Sequence, residues 1–163
     1  MERFLSVDPG LEDTGWAVIE SNGKGIRVKG FGLIKTKNNT LVQSRLSKIY
    51  DEISKIIENY SITQGAIEGM FFSNKIKAQT LSLYAKGVIM LAFEKHCICC
   101  SEYNPVTVKK MITGNGKANK SYVKRVIKAM FSINEKLYHD VSDAIAIGIA
   151  AARLHFLKVK RVL

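Results

Sequence analysis

Acidic residues are scarce in this chain: 14 Asp and Glu stand against 25 Lys and Arg in 163 residues, a net charge of +11. Such an excess favours a polyanionic partner, because neutralising phosphates releases their counterions. Cysteine is nearly absent, with three residues confined to Cys97, Cys99 and Cys100 beside His96. An odd number in one short stretch argues against a disulfide framework. No second Cys/His pair lies at finger spacing, and strand alternation would send Cys100 away from Cys97 and Cys99, which argues against zinc. Reduced thiols buried on a core strand are the expectation. Only two prolines and 12 glycines occur, without runs, and 47% of residues are hydrophobic, so the composition is globular and not disordered. Long apolar runs are missing too. Ala144 to Ala152 is far too short to span a bilayer, and the brief apolar stretch after Met1-Glu2-Arg3 does not form a signal peptide. A cytoplasmic protein is expected, with residues 1–163 as a single domain, since no linker, repeat or low-complexity tract divides them.

The apolar pattern changes period along the chain. Arg3–Asp8, Thr14–Glu20 and Ile26–Ile34 read as strands joined by Pro9-Gly10 and by the turn cluster Ser21–Gly25, an antiparallel meander. Thr40-Leu41-Val42-Gln43 fits a capping box. After it Val42, Leu46, Ile49, Ile53, Ile56 and Tyr60 recur at helical spacing. Gly65–Glu68 is a short strand, and a helix over about Lys75–Lys95 carries a small and apolar stripe. Cys97–Ser101 reads as a fifth strand. Pro105 opens a short helix, a second runs from about Asn119 to Met130, and a last one starts near His139. The fold class expected is α/β: a five-stranded mixed sheet, three strands in a meander and two parallel, flanked by helices.

Four carboxylates fall where segments start or stop. Asp8 and Glu68 each close an apolar run, and Asp140 and Asp143 stand three apart at the head of an Ala/Ile-rich helix, on one face. Singly, Asp8 has an ordinary explanation as a turn or cap residue and Asp140 as a helix N-cap, whereas Glu68 among apolar neighbours and Asp143 on the core side of its helix each need a partner. Gathered together they would repel strongly, so their convergence implies divalent cations. An acidic hole in a basic protein points to metal-assisted cutting of nucleic acid.

Asp8-Pro9-Gly10 with Thr14-Gly15, Ala66-Ile67-Glu68 with Phe71 three further on, and Asp140-x-x-Asp143-Ala144 in a closing helix resemble the bacterial RuvC-type Holliday junction resolvases, from about Phe4 to Ala152. Some members carry His at the position of Asp140. The resemblance implies a ribonuclease H-like fold and a homodimeric endodeoxyribonuclease that nicks four-way DNA junctions symmetrically, in recombination and repair. It also implies that Asp8, Glu68, Asp140 and Asp143 hold two Mg²⁺, with Mn²⁺ able to substitute, and that the cut leaves 5′-phosphate ends. Phe71 would stack on bases at the crossover, and Lys109 and Lys120 would meet DNA phosphate, with Lys117 broadening the basic surface. The helix carrying Ala78, Ser82, Ala85 and Gly87 would help form the dimer, and a RuvA–RuvB branch-migration complex would be a partner.

Other readings use the same residues. Asp8-Pro9-Gly10 with Thr14-Gly15 also fits the phosphate hairpin of actin-like ATPases, which need a second domain for which this chain has no room. Gly114 to Ser121 is one residue short of a nucleotide P-loop and follows a helix, so nucleotide binding there is rejected. A ribonuclease H acting on RNA–DNA hybrids and a non-catalytic junction-binding protein are the remaining alternatives.

Overall fold

In a computed structural model, which describes residues 1–69 and 76–162, the chain runs β1 (Glu2–Asp8), β2 (Asp13–Ser21), β3 (Ile26–Lys35), α1 (Val42–Tyr60), β4 (Gln64–Glu68), α2 (Ile76–Lys95), β5 (Cys100–Tyr103), α3 (Pro105–Thr113), α4 (Lys120–Phe131) and α5 (His139–Val162). The strands form one sheet in the order β3-β2-β1-β4-β5. The meander pairs antiparallel, while β4 runs parallel to both β1 and β5. No helix among the described residues is long and apolar enough to cross a membrane.

The central strands are apolar on both sides because helices cover both faces of the sheet. Phe4, Ala17, Ile19 and Ala66 face a core built with α3, α4 and α5. Leu5, Val7, Val18 and Ile67 face the opposite core, where Ile49 and Ile53 of α1 meet Ile89 and Phe93 of α2. Helix α5 lies across β1 and β2, and two glycines allow the approach. A Cβ on Gly148 would collide with the side chains of Ser6 and Ile19, and one on Gly15 would collide with the backbone carbonyl of Asp140. The head of α5 therefore rests directly on β2.

Three local expectations are corrected. Thr40 does not make a capping box: its hydroxyl donates to the Lys37 carbonyl 2.7 Å away, and α1 starts after Leu41 with no side-chain cap. The hydroxyl is consumed by the preceding turn. The fifth strand begins at Cys100, not Cys97, because Cys97 adopts a left-handed conformation (φ 55°) that ends α2. In consequence Cys97 and Cys99 are exposed, and only Cys100 is partly buried. Burial, with Cys99 and Glu102 nearby, pushes the Cys100 thiol up to about 12, so it stays protonated.

Candidate metal centre

Strand register brings the first acids together. Parallel pairing sets Val7 beside Ile67, so Asp8 and Glu68, the next residue on each strand, leave the same end of the sheet. On the other side of β1, Asp8 pairs with Gly15, the residue whose missing side chain lets Asp140 approach. Asp140 lies in the first turn of α5, where the helix dipole favours a negative charge. Asp143 follows one turn later and is nearly buried. A parallel strand pair and one helix head thus supply all four carboxylates at one end of β1.

Their electrostatics show the crowding. Burial, followed by the charges of Glu68, Asp143 and Asp140, pushes Asp8 well above the ordinary carboxylate range, with Lys120 offsetting part of the effect. Burial raises Glu68 as well, reinforced by Asp143 and opposed by Lys120, Lys109 and Lys86. Asp140 is raised for the same reason, with Asp143 and Asp13 adding to it and Lys120 opposing. Like charges buried around one space strain one another, and a bound cation would relieve that strain.

The basic residues are fixed by helix caps. Asn119 accepts a 2.8 Å hydrogen bond from the Tyr122 amide, so Lys120 becomes the first residue of α4. Its ammonium lies 2.7 Å from Asp143. Burial works against the charge of Lys120, but Asp143, Asp8 and Asp140 outweigh it and raise the pKa, so the side chain stays cationic. Asn104 caps α3 by accepting from the Val106 and Thr107 amides, with Pro105 at the first helical position. This presents the half-buried Lys109 toward Glu68.

The predicted residues are thus not all alike. Asp8, Glu68, Asp140, Asp143 and Lys120 share one neighbourhood, and Lys109 borders it through Glu68. Lys117 is exposed on the α3–α4 loop, where Asn115 accepts from its backbone amide. Phe71 lies outside the described residues. Sequence reasoning missed Asp13, whose charge reaches Asp140, and Lys86, which is only 6% exposed. Lys86 falls on the packed side of α2, one turn after Ser82; that position on an otherwise apolar face is the signal that could have found it.

Among the described residues, no three His, Cys, Asp or Glu side chains stand close enough together to hold a metal ion as they are placed. Carboxylates alone cannot converge, because each step inward raises their repulsion. Lys120 provides the compensating positive charge instead. The donors are all hard carboxylate oxygens, which fits Mg²⁺ or Mn²⁺ and not a thiophilic metal.

A family model described as crossover junction endodeoxyribonuclease RuvC matches residues 4–151. A protein named crossover junction endodeoxyribonuclease RuvC from Ehrlichia ruminantium (strain Gardel) is 37% identical over 150 residues, covering 90% of this chain and 94% of the relative. The protein of that name from Halothermothrix orenii is 38% identical over 158 residues, covering 96% of each chain. Among solved structures, T. thermophilus RuvC in complex with Holliday junction substrate superimposes with a TM-score of 0.89 over 97% of each chain at 21% identity. The Fowlpox virus resolvase in complex with Holliday junction DNA gives 0.59 at 12% identity, over 93% of this chain and 99% of that one. At these identities the superpositions speak to the fold, which is ribonuclease H-like.

Proposed function

This chain belongs to the RuvC family of crossover junction endodeoxyribonucleases, and from that premise we propose that it resolves four-way DNA junctions by paired hydrolytic nicks in a cation site built from Asp8, Glu68, Asp140 and Asp143. What supports the reading is that these four acids lie toward one end of β1, near enough for Glu68, Asp143 and Asp140 to raise Asp8, with Lys120 beside Asp143, in a chain of net charge +11. Two Mg²⁺ bound there would supply an activated water and charge stabilisation for the departing 3′ oxygen, leaving a 5′-phosphate. Asp8 and Glu68, held on adjacent parallel strands, set the spacing of the site. Asp140 and Asp143 close it from the helix head. Lys120, held 2.7 Å from Asp143, would turn its ammonium to a phosphate oxygen of bound DNA. Lys109 and Lys117 extend the positive surface along the backbone, and Phe71 stacks on an unpaired base at the crossover. Residues 1–163 act as one nuclease domain.

The working unit is a homodimer, because symmetric nicks need two sites. Helix α2 supports this reading. Ser82 and Ala85 turn inward against their own chain, so they are not the docking face. Its outer side exposes Leu83 (42%), Tyr84 (50%), Met90 (41%) and Leu91 (49%), with open space over Gly87. A helix apolar around its circumference is covered on both sides. Replacing Leu83 and Leu91 by Glu is expected to give monomers in sedimentation, and paired nicks in one junction should fall about tenfold or more, as hot-spot losses do. A double variant that remains dimeric would refute this interface. A RuvA–RuvB branch-migration complex is the expected upstream partner.

The deciding assay compares a synthetic four-way junction with an RNA–DNA hybrid duplex, each with and without Mg²⁺. Mg²⁺-dependent nicking of the junction alone supports the proposal. Preferential cutting of the hybrid favours a ribonuclease H, and binding without cleavage favours a non-catalytic junction protein.

A further inference from the structure

Among the described residues, Ser82 and Lys86 of α2 make polar contacts with the end of β1 and with β5 that apolar packing of the helix does not require. The Ser82 hydroxyl donates to the Pro9 carbonyl at 2.6 Å, on the residue directly after Asp8. One turn later the Lys86 ammonium meets the Glu102 carboxylate at 2.7 Å. Glu102 pairs with Ile67 in the β4–β5 ladder, and its neighbour Tyr103 pairs with Glu68. The Tyr103 carbonyl also accepts from the Gly69 amide at 2.8 Å, so the β5 backbone grips the chain on both sides of Glu68. Lys86 is 6% exposed, whereas the Glu102 side chain is 48% exposed. Removing an ammonium from water is costly, and a half-solvated partner repays little of that cost. Packing α2 with an aliphatic residue at this position would be the cheaper solution if only stability mattered.

We propose that Ser82 and Lys86 are positioning residues: spaced one turn apart on α2, they clamp the ends of β1 and β4 and fix the separation of Asp8 and Glu68 for divalent cations. This rests on the cation-site reading above and deepens it. The clamp acts through the backbone at Pro9 and through β5, and neither side chain touches substrate. The outward face of the same helix carries Leu83, Tyr84, Met90 and Leu91, so a subunit packed there bears on the element that sets the cation spacing.

The test measures Mn²⁺ binding to the full-length protein without DNA, by electron paramagnetic resonance of the free ion. Lys86→Met is expected to weaken Mn²⁺ binding roughly tenfold, the scale seen when groups that orient metal ligands are removed. Lys86→Arg should restore most of the affinity. Ser82→Ala should weaken binding several-fold, and junction affinity in EDTA should stay within about twofold for all three. A folded Lys86→Met that binds Mn²⁺ like wild type, whatever its melting temperature, overturns the proposal. If Lys86→Met does not fold, the Ser82→Ala measurement decides in the same way. Wild-type protein that binds no Mn²⁺ would instead overturn the cation site itself, and the clamp with it.

Discussion

Asp8→Asn is expected to abolish junction nicking, by about 10³-fold or more, while making the metal-free protein more stable. The loss follows from the proposed chemistry: several kcal/mol of charge stabilisation would disappear when one ligand of the proposed cation site goes neutral, and each ~1.4 kcal/mol is tenfold in rate. The gain follows from burial. Asp8 is pushed well above the usual range by desolvation and by Glu68, Asp143 and Asp140, so its ionised form is a burden on the native state. An amide of the same shape removes that charge. A gain on the order of 1 kcal/mol, within the usual range for relieving such a site, corresponds to about 2–4 °C in Tm.

The same logic fixes the pH dependence. Asp8, Glu68 and Asp140 all have folded pKa values above their unfolded ones. Raised acid pKa values mean that the native state holds protons more tightly, so stability is full below the unfolded values near ~4 and falls as pH rises through the folded ones. Metal-free wild type should therefore melt at a lower temperature at pH 8 than at pH ~4, at the unfolded values, once other groups are allowed for by the Asp8→Asn comparison. Mg²⁺ should close that gap for wild type and not for the variant. Thermal melts in EDTA and in Mg²⁺ at both pH values, beside single-turnover nicking, check all of this. An Asp8→Asn protein that melts below wild type in EDTA would mean that the carboxylate is not strained, and one that cuts normally would remove Asp8 from the chemistry.

How much of this could be read in advance depends on the range of the interaction involved. The meander, the two parallel strands and the burial of Ile49, Ile53 and Ile56 follow from local periodicity, and the structure has them. Asp8 and Glu68 are legible because each closes an apolar run, and Asp140 and Asp143 because they stand three apart at the head of an Ala/Ile-rich helix. The failures are competitions that local pattern does not resolve. Thr40 had two acceptable uses for one hydroxyl and took the nearer turn carbonyl of Lys37. The fifth strand lost its first residues because α2 needed a left-handed exit at Cys97, which left two thiols in solvent. Lys86 is signalled in sequence only by its place on the packed face of α2; the partner it finds there, Glu102, depends on the pairing of β4 with β5. Nor does spacing reveal that Lys120, whose helix begins after Asn119, would meet an aspartate from a different helix.

Lys120→Met carries the second large effect, and it separates catalysis from binding. The ammonium is half-exposed yet lies 2.7 Å from Asp143 and within the field of Asp8 and Asp140. A lysine used only as one of many backbone contacts would contribute a single step in salt dependence and a modest loss of affinity, since removing one phosphate contact lowers the salt slope by about one unit. A lysine aimed at the reacting phosphate stabilises charge that develops in the transition state, and its loss costs on the order of 10²–10³-fold in rate. The second outcome is expected, with junction affinity in EDTA changed by less than tenfold. Stability should move oppositely to Asp8→Asn: without its ammonium the buried acids lose the counter-charge that faces Asp8, Glu68 and Asp140 alike, so the variant melts lower in EDTA, and Mg²⁺ restores it. Lys120→Arg should recover the melting temperature, because the charge returns. It should recover the rate only in part, because a planar guanidinium does not place a point charge where an ammonium does. Equal losses in rate and affinity for Lys120→Met, with an unchanged melt, would reduce Lys120 to an ordinary phosphate contact and leave the acids to be balanced by Lys109, Lys86 and any cation the site takes up.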